Sequence, residues 1–259
     1  MDKNKFGLVY LLFAGIFVFM VACGDDDDDD DELIGNWIQL SDFDGMPRTD
    51  AVGFSIGNKG YVGTGYTGEK RLNDFWEYDP ERNTWMQRAD FPGVARNGAV
   101  GCGTDTKGYI GTGYDGRNKL NDFWEYDPTS NTWTQKSDFG GSARYGAVAF
   151  AINNKCYIGT GYDGYYLKDF WEYDPESDVW TQKTSIGGSK RKDAVGFALN
   201  GRGYICTGID NGVYESDFWE YDPLTDLWTK KNAIANISDD DFDDDYTTIK
   251  GICKVAFAL

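Results

Sequence analysis

Short apolar runs separated by turn residues recur along this chain in a fixed order. The heptapeptide DFWEYDP begins at Asp74, Asp122, Asp169 and Asp217, at intervals of 48, 47 and 48 residues. A tryptophan follows each copy, at Trp85, Trp133, Trp180 and Trp228. In the second copy the runs are GAVGCGT, GYIGTGY, DFWEYD and NTWTQ, and each reads as a short β-strand. Gly and Asn-Lys turns separate the first pair across the copies, a longer Gly/Asn loop the second, and DPTSN the third. Asp-Pro followed by Ser and Asn suits a turn, because Pro presets φ and Asn or Asp bonds the local backbone. Alternation within DFWEYD puts Trp124 and Tyr126 on one face and Phe123 and Glu125 on the other. Large aromatics on both faces predict sheets covered on both sides, as in four-stranded sheets stacked radially.

These units span residues 41–87, 88–135, 136–182 and 183–230, with a partial unit at 231–259. Their apolar first run, the glycines ending the second, the Tyr of the third and the Trp of the fourth resemble the kelch repeat, a unit of about 50 residues that builds one blade of a β-propeller. The resemblance covers residues 33–259, with one departure: kelch units commonly carry adjacent glycines where this chain reads GTG. It implies an all-β kelch-type β-propeller with four complete four-stranded blades and part of a fifth. Trp37, in GNWIQLSDF, repeats the final run alone, and KVAFAL at the C-terminus aligns with AVGFAL at 194–199. The two middle strands of that last blade are missing, so the expectation is a truncated piece of a longer propeller of about six blades, the alternative being a complete chain that closes imperfectly or pairs with another copy.

The segment GYIGTGYDG carries G-x-G-x-x-G on Gly111, Gly113 and Gly116, the spacing of a dinucleotide-binding turn. The spacing recurs at Gly63-Gly65-Gly68 and Gly159-Gly161-Gly164 and leads each time into a strand, whereas a pyrophosphate site needs a helix N-terminus. These glycines are blade turns, and no nucleotide is expected. The net charge of -18 likewise argues against nucleic acid, whose phosphates require clustered Lys and Arg. There is no histidine, which removes imidazole acid–base chemistry and His-ligated zinc or copper. Neither a cofactor nor a metal is expected.

Residues 1–22 read as a targeting segment: Lys3 and Lys5, then the apolar run FGLVYLLFAGIFVFMVA, then Cys23. FMVAC resembles a bacterial lipobox, which makes Cys23 the lipid-attachment residue, and an uncleaved anchor helix is the alternative. The aspartate run after Cys23, within a tether at 23–32, cannot bury surface and predicts an extended spacer. Acidic residues there also resemble the tracts that send some lipoproteins to the outer face of the outer membrane. The expected location is therefore the cell envelope, exposed at the surface.

Arg48, Arg96, Arg144 and Arg191 occupy one repeat position, three residues before the inner strand's Ala. In a kelch propeller that strand lines the channel, so the four arginines are candidates for an anion-binding ring at one mouth; pairing with carboxylates to lock adjacent blades is the other reading. Glu77, Glu125, Glu172 and Glu220 repeat likewise, and identical copies in every blade predict structural pairing rather than a catalytic pair. The loops TGEKRLN, DGRNKLN, DGYYLKD and DNGVYES differ between copies. Tyr165 and Tyr166 in the third are candidate partner contacts, since adjacent aromatics stack on sugars or anchor proteins. Cys102 and Cys253 fall in inner strands, and Cys156 and Cys206 replace glycines of the sister copies. That scatter predicts small buried residues, with one bridge left open. The acidic run ISDDDFDDDYTT lacks the spacing of a calcium loop.

The expected function is a non-enzymatic, surface-anchored binding module for a glycan or protein partner. The resemblance also implies two enzymatic alternatives, since bacterial kelch propellers include galactose-oxidase-like proteins and sialic-acid mutarotases. The first needs copper-ligating histidines that this chain lacks; the second needs no metal. A truncated remnant without function is the third expectation.

Overall fold

The computed structural model describes residues 38–233. Residues 1–22, Cys23, the acidic tether, Trp37, the partial fifth unit from residue 234 on and Cys253 lie outside the described residues. Chain contacts separate Met1–Leu40 from Ser41–Leu259, and the second unit holds everything that follows.

All regular structure among the described residues is β. Blade 1 comprises β1 (Val52–Ile56), β2 (Lys59–Gly63), β3 (Phe75–Asp79) and β4 (Thr84–Gln87). Blade 2 comprises β5 (Val100–Gly103), β6 (Gly108–Gly111), β7 (Phe123–Asp127) and β8 (Thr132–Lys136). Blade 3 comprises β9 (Val148–Ile152), β10 (Lys155–Gly159), β11 (Phe170–Asp174) and β12 (Val179–Lys183). In blade 4, β13 (Val195–Leu199) and β14 (Arg202–Cys206) are followed by a small hairpin, β15 (Ile209–Asp210) and β16 (Val213–Tyr214), then by β17 (Phe218–Asp222) and β18 (Leu227–Lys231). Each blade is a four-stranded antiparallel sheet in chain order. The arrangement is a kelch-type β-propeller of four blades. The first residues of β1, β5, β9 and β13, with the alanine before each (Ala51, Ala99, Ala147 and Ala194), surround one central opening.

Blades stack by one contact made three times. Phe75 meets Tyr126 and Trp133 with ring centroids 4.8 and 4.9 Å away; Phe123 meets Tyr173 and Trp180 at 4.9 Å each; Phe170 meets Tyr221 and Trp228 at 4.8 and 5.0 Å. The three Phe rings are at most 1% exposed, and burying each contributes about 2 kcal/mol. The DPxxN-type turn supplies the polar half of the contact. Asn131 is left-handed at φ 54°, a conformation Asn and Asp tolerate. Its Oδ1 accepts from the Tyr126 hydroxyl at 2.8 Å and from the backbone N–H of Ala89, in the segment leaving blade 1 after β4, at 2.9 Å. Asp178 and Asp226 repeat both bonds.

The seam between blades 2 and 3 differs from the others. Phe54 in blade 1 and Phe150 in blade 3 each press a ring onto a glycine of the following blade: a Cβ on Gly108 would lie 2.4 Å from the Phe54 ring, and one on Gly203 would lie 2.3 Å from the Phe150 ring. At the same two repeat positions of the middle seam stand Cys102 and Cys156, joined by a disulfide. The expectation of isolated small residues is thus replaced by a covalent staple. Cys206 is a buried free thiol, and burial pushes its pKa up.

Candidate functional site

The arginine repeat sits beneath the loop face rather than in an open mouth. Arg96 and Arg191 are fully buried and Arg144 is nearly so. Arg96 donates to both Asp122 oxygens at 2.6 and 2.7 Å, to the Thr112 carbonyl at 2.9 Å and to the Val94 carbonyl at 2.8 Å. Its guanidinium also lies over the Phe91 ring. Arg144 repeats this pattern with Asp169 and Phe139, and Arg48 with Asp74 and Phe43. Arg191 grips Asp217 in the same way. The backbones of these arginines reach the other blade: Gly65 N–H donates to the Arg96 carbonyl, Gly113 to Arg144 and Gly161 to Arg191. Each of these three therefore fastens its own blade through the side chain and the preceding blade through the main chain. Burial pushes the Asp122 carboxyl up, but the Arg96 guanidinium and Trp124 indole outweigh it and hold it below the usual carboxylate range. The donors are committed to the protein, and the arginines act as the frame under the loops.

The glutamate repeat is also paired, in three blades of the four. Glu77 binds Lys59 and Arg88, Glu172 binds Lys155, and Glu220 binds Lys231. Among the described residues, Glu125 accepts only the Tyr109 hydroxyl, at 2.8 Å.

Above the arginine frame, the β2–β3-type loops and the segments leading into the inner strands form an arc of half-buried tyrosines and cations. Arg71 lies between the Tyr66 and Tyr114 rings, 5.0 Å from each centroid. From Tyr114 the arc continues to Tyr145 at 5.6 Å, Tyr162 at 5.7 Å and Tyr166 at 5.2 Å. Lys192 Nζ stands over the Tyr145 ring and Lys119 Nζ over that of Tyr162. Tyr66 and Tyr114 direct their hydroxyls into their own loops, onto the carbonyls of Gly68 and Gly116. Burial lowers the Lys192 pKa, yet its pair with Asp193 at 2.9 Å more than compensates and holds it above the ordinary value, so its charge persists at neutral pH. Burial raises the Tyr145 pKa, which keeps that hydroxyl protonated.

Tyr165 and Tyr166 part company here. Tyr166 belongs to the arc and borders a cleft of about 480 Å³ shared with Lys168, Lys190 and Ser189, whereas Tyr165 projects outward at 78% exposure. Tyr145 and Lys192 were not singled out by sequence. Their signal was variability: Thr49, Asn97, Tyr145 and Lys192 hold one repeat position, immediately after arginines that do not vary. An arc of this kind can lay a ring or apolar edge on tyrosine faces while ammonium and guanidinium groups meet oxygen acceptors. Among the described residues no three His, Cys, Asp or Glu side chains are grouped to hold a metal ion.

Comparison with known proteins agrees with this architecture. The solved structure of YjhT superposes with a TM-score of 0.67 at 18% identity, covering 76% of this chain and 68% of that one, a likeness of fold alone. No curated protein matches. The kelch motif model matches residues 47–92. The model of the KLHDC2/KLHL20/DRC7 Kelch-repeats domain matches residues 95–242. Because that match spans more than half of the chain, the protein belongs to this kelch-repeat family.

Proposed function

We propose that this protein is a binding module, a kelch propeller that presents the tyrosine–cation arc of its loop face to a glycan outside the cytoplasm. The observation that carries the reading is the contrast between a repeated frame and a variable face. Arginine, aspartate and aromatic positions are near-identical in every blade. In the arc above them one tyrosine repeats in three blades, at Tyr66, Tyr114 and Tyr162, while its partners differ blade by blade: Arg71, Lys119 and Tyr166 on one side, and Thr49, Asn97, Tyr145 and, beside Ile209, Lys192 on the other. Variation on a rigid scaffold is how such folds address a partner. Tyrosine faces suit pyranose rings, and the cations suit hydroxyl or acidic substituents. The location follows from Cys23 as the lipid-bearing residue and the aspartate tether after it. The Cys102–Cys156 disulfide supports it, since such bonds persist in oxidising compartments.

The test is an array of neutral and acidic oligosaccharides probed with the purified chain and with its Tyr145→Ala and Lys192→Met variants. Saccharide binding that falls at least tenfold in both variants, with thermal midpoints unchanged, supports the reading. Binding that ignores both substitutions, or the absence of binding to any saccharide on the array, overturns the glycan assignment.

A further inference from the structure

The opposite face of the propeller, formed by the tight turns within blades, carries a cleft of about 440 Å³ between blades 2 and 3. Tyr109 and Glu125 contribute to it from blade 2, Asn154, Lys155 and Asp174 from blade 3. It flanks the seam where the disulfide replaces a phenylalanine. In the other blades that ring stacks on the neighbouring tyrosine, with Phe54 on Tyr61 at 5.8 Å, Phe150 on Tyr157 at 6.0 Å and Phe197 on Tyr204 at 5.1 Å. Cys102 offers no such ring to Tyr109.

Glu125 is what the cleft presents. The three sister glutamates show what this position accepts. Glu77 takes an ammonium from Lys59 at 2.8 Å and a two-pronged guanidinium from Arg88 at 2.9 and 2.8 Å. Glu172 takes the ammonium of Lys155 at 3.0 Å and Glu220 that of Lys231 at 2.9 Å. Each also accepts a tyrosine hydroxyl, which fixes the carboxylate. Glu125 keeps the tyrosine, Tyr109, and among the described residues has no cation. The lysine at the position of Lys59, Lys107, is turned to Asp127 at 2.7 Å. Lys136, at the position of Arg88, makes no ion pair among the described residues.

We propose that the blade 2–blade 3 cleft is a second binding site, in which Glu125 receives an organic cation, an alkylammonium or guanidinium group, brought by an external ligand. The ligand's cation takes the place that Lys59 and Arg88 fill in blade 1. The two lysines at the rim do not repel it unopposed, because Lys107 is held by Asp127, and Lys155 by Glu172 and Asp174 at 3.0 Å each. Asn154 and Asp174 border the same space with hydrogen-bonding groups. This site lies on the face opposite the tyrosine arc and stands independently of it.

Saturation-transfer NMR on the intact chain tests the proposal with Nα-acetyl-arginine amide, Nα-acetyl-lysine amide, glucosamine and, as the uncharged control, Nα-acetyl-norleucine amide. Transfer to one or more cations and not to norleucine, weakened at least tenfold by Glu125→Gln, is expected. Response to the amides assigns the cation to a peptide side chain; response to glucosamine alone assigns it to an amino sugar. The Gln variant still accepts the Tyr109 hydroxyl. Should it nevertheless lose its fold, the carboxyl ¹³C resonance of Glu125 in the unaltered protein decides, since it must shift with the bound cation. No cation binding, binding unaffected by Glu125→Gln, or an unmoved Glu125 resonance overturns the site. Cation binding that appears only in Lys107→Met also overturns it, by making Lys107 the occupant.

Discussion

Exchanging the middle seam for its neighbours' chemistry is the sharpest test of how the blades are joined. The perturbation is the double substitution Cys102→Phe with Cys156→Gly, which writes the Phe54–Gly108 pair into the blade 2–blade 3 interface. The disulfide closes 54 residues of chain, and in the loop-entropy account such a closure stabilises by about 4 kcal/mol. A buried phenylalanine ring contributes about 2–3 kcal/mol from its removed surface. The double variant is therefore expected to lie about 1–2 kcal/mol below the oxidised protein and above the reduced one. Cys102→Phe alone must be worse than either, because the ring then meets a side chain where Gly108 and Gly203 leave none. Urea unfolding followed by tryptophan fluorescence, with and without dithiothreitol, reads the wild type and both variants. Reductant should lower the midpoint of the wild type and leave that of the double variant in place. A double variant no more stable than its single parent, or a wild type indifferent to reductant, refutes the equivalence of the two seams.

Three further outcomes follow from the frame. Thr112 is a β-branched residue at φ 59° with a buried hydroxyl lacking a partner, so Thr112→Gly should stabilise by about 1 kcal/mol, read as a thermal midpoint about 2–4 °C higher; a lower midpoint refutes the strain. Asp122→Asn leaves the fully buried Arg96 without its carboxylate and should cost about 3 kcal/mol by urea titration, whereas a cost below 1 kcal/mol would show that the clamp is not structural. Asp74, Asp122 and Asp217 have folded pKa values below their ordinary value, burial being outweighed in each by its arginine. Their contribution is complete above the unfolded value of about 4 and is lost as pH falls through the lower folded values. Stability should be flat from pH 7 down to about 5 and fall below about 4, and a decline centred near pH 6 contradicts this assignment.

The four sheets were legible in sequence because every unit repeats one strand text, DFWEYDP, at nearly constant spacing. The use of the arginines was half legible. Spacing placed them before the inner strand, but not the direction of their side chains, which a partner 26 residues away at Asp122 decides. The disulfide was hidden for a different reason. Cys102 and Cys156 occupy different repeat positions, and only blade n laid against blade n+1 shows them replacing Phe54 and Gly108. The arc was hidden because Tyr145 and Tyr162 come from separate segments that a bridge within blade 3 brings together, and Lys192 reaches them from the segment that enters blade 4. Glu125 looked like its three sisters, and nothing in sequence reveals that Lys107 turns away from it.

Carbene footprinting of the intact chain, alone and with the saccharide it retains from the array, tests the central claim most directly. The account predicts protection confined to the loop face, at Tyr145, Tyr162, Tyr166 and Lys192. Protection at the blade 2–blade 3 cleft instead, or none on the tyrosine arc, contradicts it.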